Sequence, residues 1–379
     1  MNDRERVKKS RRVVVKIGSA VFLRGHRAVD RPAFASLVEG IDGLIQQGWS
    51  VTVVSSGAVA MGKEWLGELA QSRREIPLLQ AYAALGQARL MKMYEDEFAH
   101  YGRKVAQVLF SRGDLSDRRR YLNARQTLAT LEELGAVAVI NENDTVATEE
   151  LRFGDNDQLA AMTAGLVGAE VLVLLSDVEG LKEVEIDEGG GRRFGEKVDT
   201  ISVEDPRLDL WAGPSASGVG TGGMISKVKA ARLAARMGSV TIIAPGKKAG
   251  VLQRIALGEE VGTLFYPGEG RSVGGKKVWL GSGAMARGRI RCDQGARRAV
   301  VERGASLLPS GILAVEGEFP DGEVVELVDE QGESFARGIS VYSSEDLAAI
   351  AGHQSEEIER ILGFTVLDAA VHRDNLLVF

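Results

Sequence analysis

The sequence predicts an α/β protein: a three-layer αβα domain on a mostly parallel open sheet, followed by a small β-barrel-like domain. Three observations carry that expectation. Runs of Val, Ile and Leu recur through the first two thirds of the chain, with longer helical patterns between them. The runs are continuously apolar rather than alternating, which is the pattern of strands covered on both faces. Past about Gly258 the runs shorten, turns multiply and acidic residues come to outnumber basic ones.

Taken in order, Arg12-Val13-Val14-Val15-Lys16-Ile17 reads as a buried strand. A helix follows, with Asp30 as its cap and Pro32 in its first turn. Its apolar positions are Phe34, Leu37, Val38, Ile41, Leu44 and Ile45, and Gly48 closes it. Strands are expected at 50–55, 105–110, 136–140, 171–175 and 240–244. A helical pattern covers 159–167, with Asp155 or Asn156 placed to cap it. The stretch 267–277, rich in Gly and charge, reads as a linker. Beyond it short strands are expected at 288–292, 312–315, 324–328 and 335–341, with turns at Asp321-Gly322 and Gln331-Gly332 and one short helix over 345–350.

At 379 residues the chain is long enough for two domains with a full-sized core in at least one. No apolar run approaches the roughly 18 residues of a membrane span. The charged N-terminus runs straight into a strand and does not resemble a secretory signal. Cys292 is the only cysteine, which excludes an intramolecular disulfide and a cysteine metal cage, and His26, His100, His353 and His372 lack metal-ligand spacing. A cytoplasmic enzyme without a dedicated metal site is expected. Residues 286–379 carry a net charge of −8 and the rest of the chain +2. The C-terminal region is therefore a poor candidate for non-specific binding to a phosphate backbone.

Polar residues gather where the apolar runs end. Asn141-Glu142-Asn143-Asp144 ends one strand, and Gly154-Asp155-Asn156-Asp157 opens the next helix. Asn and Asp are common loop and cap residues. Two such clusters at consecutive junctions also suit a pocket for a small ligand that carries a positive charge, because their carboxylates repel one another without a cation between them. Lys16 closes an otherwise apolar strand, where it either snorkels to water or meets an anion. Gly218-Val219-Gly220-Thr221-Gly222-Gly223-Met224 leads into a helix carrying Lys227 and Lys229, a pattern in which backbone amides and the helix dipole can hold an anion. Ser55-Ser56-Gly57 and Ser176-Asp177 end two further strands, and in open α/β sheets ligands bind beyond such ends. Two segments imitate a phosphate-binding P-loop: 57–63 and 270–276. Each lacks the Ser or Thr for Mg²⁺ at the next position, where Glu64 and Lys277 stand. A Gly-x-Gly-x-x-Gly after the first strand is absent. Two lysines and a glycine loop beside an acidic pocket suggest phosphoryl transfer to a small amino-acid-like substrate.

Val-Val-Lys-Ile-Gly-Ser (14–19), Ser-Ser-Gly-Ala-Val (55–59), Asn-Glu-Asn-Asp-Thr-Val-Ala (141–147), Phe-Gly-Asp-Asn-Asp (153–157) and Gly-Thr-Gly-Gly-Met-Ile-Ser-Lys (220–227) occur in this order. So arranged, they resemble the glutamate 5-kinases of the amino acid kinase family. Residues 302–312 and 352–358 resemble the PUA domain appended to many bacterial members. The resemblance implies an amino acid kinase fold over 1–258, a linker over 259–284, a PUA domain over 285–363 and a tail over 364–379. It implies phosphorylation of the L-glutamate side-chain carboxylate by ATP with Mg²⁺, as the first step of proline synthesis. Proline is the implied inhibitor, and a homo-oligomer is expected. By matched position, Lys16, Asp157 and Lys227 are the implied catalytic residues, with Asp157 holding the two lysines. Ser56, Asp144, Asp155 and Asn156 match the glutamate site. Lys16, Ser176, Asp177, Thr221, Gly222, Gly223, Met224, Ile225, Ser226 and Lys227 match the nucleotide site. Ala20 departs from the commoner Ser or Asn. Lys182-Glu183-Val184 after Gly180-Leu181 departs from the usual nucleotide-facing hairpin.

A carboxylate acceptor is already ionised at neutral pH, with a reference pKa of about 4.3, so the chemistry needs no general base. The nearest rivals are an acetylglutamate kinase or an aspartokinase; the acidic pocket argues for a free α-amine, and the PUA-like C-terminal segment argues for a glutamate 5-kinase. An RNA-binding protein is the rival from another class, and the charge of the C-terminal region argues against it.

Overall fold

The structure is a computed structural model that describes residues 3–24, 28–66, 76–146, 156–187, 191–213, 223–267 and 286–379. Asp155, Thr221, Gly222, residues 268–284 of the linker and the second P-loop imitation, 270–276, lie outside the described residues, whereas the linker's first part, 259–267, is described and carries a strand at Thr263–Tyr266. The strands are β1 (Arg12–Ile17), β2 (Leu23–Arg24), β3 (Ala28–Val29), β4 (Ser50–Ser55), β5 (Lys104–Phe110), β6 (Ala136–Glu142), β7 (Val171–Ser176), β8 (Lys182–Ile186), β9 (Arg192–Lys197), β10 (Thr200–Ser202), β11 (Val240–Pro245) and β12 (Thr263–Tyr266). In the C-terminal region they are β13 (Gly288–Cys292), β14 (Ile312–Glu316), β15 (Val324–Val328), β16 (Ser334–Ser340) and β17 (Val371–Val378). The chain divides into two compact units.

The first unit is built on an eight-stranded sheet in the order β10-β12-β11-β7-β1-β4-β6-β5. The run from β11 to β5 is parallel throughout, and β12 pairs antiparallel with β11. β1, the first strand in sequence, is central and buried from Val13 to Ile17. The helix Arg31–Gln46 starts as its cap requires, with the Asp30 side chain accepting from the Ala33 N–H at 3.3 Å. The helix Asn156–Val167 is buried on every side, as expected of one apolar around its whole circumference. The long helix Ile76–Ala99 packs against the helix Ala58–Leu66 with Gly62 and Gly86 at the contact. A Cβ on Gly86 would lie 1.7 Å from the Ala58 carbonyl oxygen. No helix among the described residues is long and apolar enough to cross a membrane.

The second unit is a mixed five-stranded sheet in the order β14-β13-β15-β16-β17, with the helix Gln294–Arg303 capped by Asp293. The stretch 364–379, read from the sequence as a tail, supplies β17, which pairs antiparallel with β16. His372-Arg373-Asp374-Asn375 breaks the apolar pattern there, so the strand is held by ladder hydrogen bonds and by its flanking Val371, Leu376 and Leu377.

Candidate active site

The parallel strands β1, β4, β6 and β7 end on one edge of the sheet, and two helices begin over it. The helix Asn156–Val167 places Asp157 in its first turn, where the helix dipole favours a carboxylate. The helix Met224–Arg236 begins after Gly223, which makes no side-chain cap, and carries Ser226 and Lys227 in its first turn. Asp157 is 0% exposed, and Lys16 and Lys227 are each 6% exposed. Lys16 Nζ stands 2.7 Å from Asp157 Oδ1. Lys227 Nζ donates to Oδ2 at 3.0 Å, and Ser226 Oγ donates to the same oxygen at 3.0 Å. Burial pushes the Asp157 carboxyl up, but the ammonium groups of Lys16 and Lys227 outweigh it and hold its pKa below the usual carboxylate range. Lys16 therefore does not snorkel. An ammonium carries three N–H donors, and the contact with Asp157 fixes which way each group points.

Beside this cluster lies a corner of amides and hydroxyls. Asn156 Nδ2 stands 2.9 Å from each of the Ser55 carbonyl oxygen, Ser56 Oγ and Asn141 Oδ1, which share its two hydrogens. Ser55, fully buried, receives the Tyr94 hydroxyl at 2.9 Å. Gly57, at φ +108°, turns the chain after β4, and a Cβ there would meet the Phe22 ring at 2.8 Å. Asp144 is half-buried in the turn after β6. The arrangement sets two cations, fixed by one carboxylate, next to a polar corner that faces the same strand ends.

Residues 11–244 match the amino acid kinase family model, and residues 288–362 match that of the PUA domain. The glutamate 5-kinase of Syntrophotalea carbinolica is 47% identical over 97% of this chain and 97% of its own. That of Nitrosococcus oceani is 45% identical over 100% of this chain and 99% of its own. The chain belongs to the glutamate 5-kinase family. A solved carbamate kinase from Giardia lamblia, bound to AMP-PNP, is similar at 16% identity and a TM-score of 0.49, covering 69% of this chain and 99% of that one.

The remaining glutamate 5-kinase motifs are placed as follows. Ser176 is buried at the end of β7 and donates to the exposed Asp177 at 3.0 Å. Gly223, Met224 and Ile225 lie at the start of the lysine-bearing helix. The altered hairpin after Gly180-Leu181 forms β8 and β9. The P-loop imitation at 57–63 has another purpose: Gly57 makes the turn, Gly62 lets Tyr82 approach, and Lys63 lies over the Tyr82 ring at 5.9 Å. Sequence reasoning did not select Gln87, Tyr94, Ser55 or Asn141 as site residues. Asn141 and Ser55 stood within motifs that the sequence singles out at strand ends. Gln87 stood among Tyr82, Ala83, Gly86, Leu90 and Tyr94, a polar residue on a helix stripe that is otherwise mostly apolar.

Proposed function

We propose that the protein phosphorylates the side-chain carboxylate of L-glutamate with ATP, giving L-glutamyl 5-phosphate and ADP, as in the first step of proline synthesis. The observation that carries this reading is the Lys16–Asp157–Lys227 cluster at the end of β1, beside the Asn156–Ser56 corner. The acceptor carboxylate is its own nucleophile, so the protein has to position two anions and offset charge as the phosphoryl group passes between them. Lys16 and Lys227 bind the transferring phosphoryl oxygens, and Asp157 fixes where those ammonium groups point. Ser56, Asp144, Asp155 and Asn156 hold glutamate. Gly223, Met224, Ile225 and Ser226, with Thr221 and Gly222 before them, meet the phosphates, and Ser176 and Asp177 lie towards the nucleoside. Asp157 is engaged by two lysines, which suits Mg²⁺ carried on the oxygens of ATP rather than by a protein cage. When bound, that ion offsets charge on the β- and γ-phosphates.

Proline is proposed as inhibitor, a homo-oligomer as the assembly and the cytoplasm as the location, all by family resemblance. The sequence puts the end of the amino acid kinase domain at 258, but β12 (Thr263–Tyr266) pairs with β11 in the same sheet, so the domain is proposed to extend through that strand. A nucleic-acid partner is not proposed for the PUA region. Arg287, Arg289, Arg291, Arg297 and Arg337 each stand within 3.9 Å of a carboxylate there, in a segment of net charge −8. The function is tested by incubating the protein with ATP, Mg²⁺, glutamate and hydroxylamine. Glutamyl hydroxamate should form at a rate proportional to enzyme. ADP release without hydroxamate would reject the assignment.

A further inference from the structure

A line of side-chain amides runs from the edge strand β5 into the site. Gln87 Nε2 donates to Gln107 Oε1 at 3.2 Å, Asn141 Nδ2 donates to Gln87 Oε1 at 2.9 Å, and Asn156 Nδ2 donates to Asn141 Oδ1 at 2.9 Å. Every link donates in the same direction. Two backbone groups fix that polarity. The Glu142 N–H donates to Asn141 Oδ1 at 2.9 Å, so that atom has to be the oxygen. The Ser55 carbonyl accepts from Asn156 at 2.9 Å, so that atom has to be the nitrogen. Asn141 must then present its NH₂ to Gln87, and only the Gln87 oxygen satisfies it. Asn141 and Gln87 are buried, and water does not replace a lost partner there. At the far end, Asn156 Oδ1 is buried and has no hydrogen-bond partner among the described residues.

We propose that Gln87 is a positioning residue for the amino-acid substrate. Acting through Asn141, whose NH₂ it accepts, it holds the Asn141 oxygen against Asn156 Nδ2 and so adds to the Ser55 carbonyl in keeping Asn156 Oδ1 turned as the acceptor for the substrate's ammonium group. The inference rests on Asn156 belonging to the glutamate pocket, as proposed above. Gln87 touches no reacting group. Its effect falls on glutamate because the chain ends at Asn156 and Ser56, and it leaves the Lys16–Asp157–Lys227 cluster alone. Chains of amides polarise one another, which strengthens the terminal acceptor as well as orienting it.

The test is a pair of near-isosteric variants. Gln87→Met removes the acceptor without opening a large cavity, and Gln87→Glu keeps an oxygen facing Asn141, with the exposed Gln107 amide turned to donate to the carboxylate in place of accepting. Gln87→Met should raise the KM for glutamate by roughly 10- to 100-fold, the effect of one buried donor left unmatched. Its KM for ATP should stay within about twofold, on the principle that a change in one substrate's binding shows in that KM alone. Gln87→Glu should return the glutamate KM to within about threefold of the parent. An unchanged glutamate KM in Gln87→Met, equal rises for both substrates, or no recovery in Gln87→Glu would overturn the proposal. A second measurement needs no substrate: the side-chain amide resonances of Asn141 and Asn156 in the free protein. Both should shift in Gln87→Met and stay in place in Lys63→Ala, and unmoved resonances would overturn the relay. Failure of the parent protein to form hydroxamate would instead reject the glutamate assignment, with the resonance measurement still deciding the relay. Should Gln87→Met not fold, the Asn141 amide protons of the parent decide: slow exchange with solvent supports the relay, and free exchange refutes it.

Discussion

Asp157→Asn is the substitution that separates what the buried carboxylate does for folding from what it does for catalysis. Asn has the same shape, so the change removes charge without opening space. Lys16 and Lys227, each 6% exposed, would lose the carboxylate oxygens that now stand at 2.7 and 3.0 Å. Breaking a buried ion pair by removing one partner costs about 3–5 kcal/mol, because the other charges stay buried. At roughly 2 °C per kcal/mol for a unit of this size, the melting temperature should fall by about 6–10 °C. Turnover should fall about 10²-fold, since misplacing positioning groups by about 1 Å has that effect. Nucleotide binding should not weaken, because the phosphates offer the lysines a replacement anion; ATP should therefore raise the melting temperature of Asp157→Asn more than that of the parent. The acid limb supplies a further check. A carboxyl held below its ordinary pKa contributes stability that is full above the unfolded value of about 3.9. That contribution is lost as pH falls through the folded pKa, so the parent should lose stability below about pH 4 more steeply than Asp157→Asn. Calorimetry from pH 3 to 8, with and without ATP, reads all of this. A variant as stable and as active as the parent would refute the reasoning.

Lys227→Ala should lower turnover on the order of 10²-fold or more, as losing one preorganised donor does, and stability should fall too because Asp157 keeps a single ammonium partner; steady-state rates and a melt check both. Lys63→Ala should leave the KM for ATP within about twofold, since its ammonium lies over the Tyr82 ring, and a tenfold rise would revive the P-loop reading. Glutamate should be preferred over N-acetylglutamate by at least about 10³-fold in kcat/KM, because acetylation removes the ammonium that the acidic pocket is proposed to need; comparable rates would favour the acetylglutamate kinase alternative. Asp144→Asn should raise the KM for glutamate much more than that for ATP. Cys292 is buried, and that burial together with Asp293 pushes its thiol up to about 12, so it should resist an aromatic disulfide reagent at pH 8 until the second unit unfolds.

Local patterns were sufficient wherever a residue's environment depends on its near neighbours in the chain. The apolar runs at 12–17, 50–55, 171–175 and 240–244 are strands because continuous Val, Ile and Leu suit a sheet covered on both faces. Asp30 caps its helix because an Asp there finds an N–H three residues on. Lys16, Asp157 and Lys227 were visible as charges at the ends of buried elements, where charge is costly without a partner.

The sequence alone does not contain the order of the strands or the partners of those charges. That one carboxylate holds both lysines follows from β1 being central and from two helices, starting at Asn156 and Met224, opening over its end. The relay from Gln107 through Gln87 and Asn141 to Asn156 joins the edge strand, a helix, β6 and a helix start, and no spacing rule relates those positions. The strand at 371–378 was read as a tail because its own residues do not form a strand pattern; β16 supplies the ladder that makes it one. A residue's type and its neighbours decide which local structure it favours, and therefore show in the sequence. Which distant groups satisfy its hydrogen bonds and charge is decided only when the sheet assembles, because those partners lie far apart in the chain and no local pattern relates them.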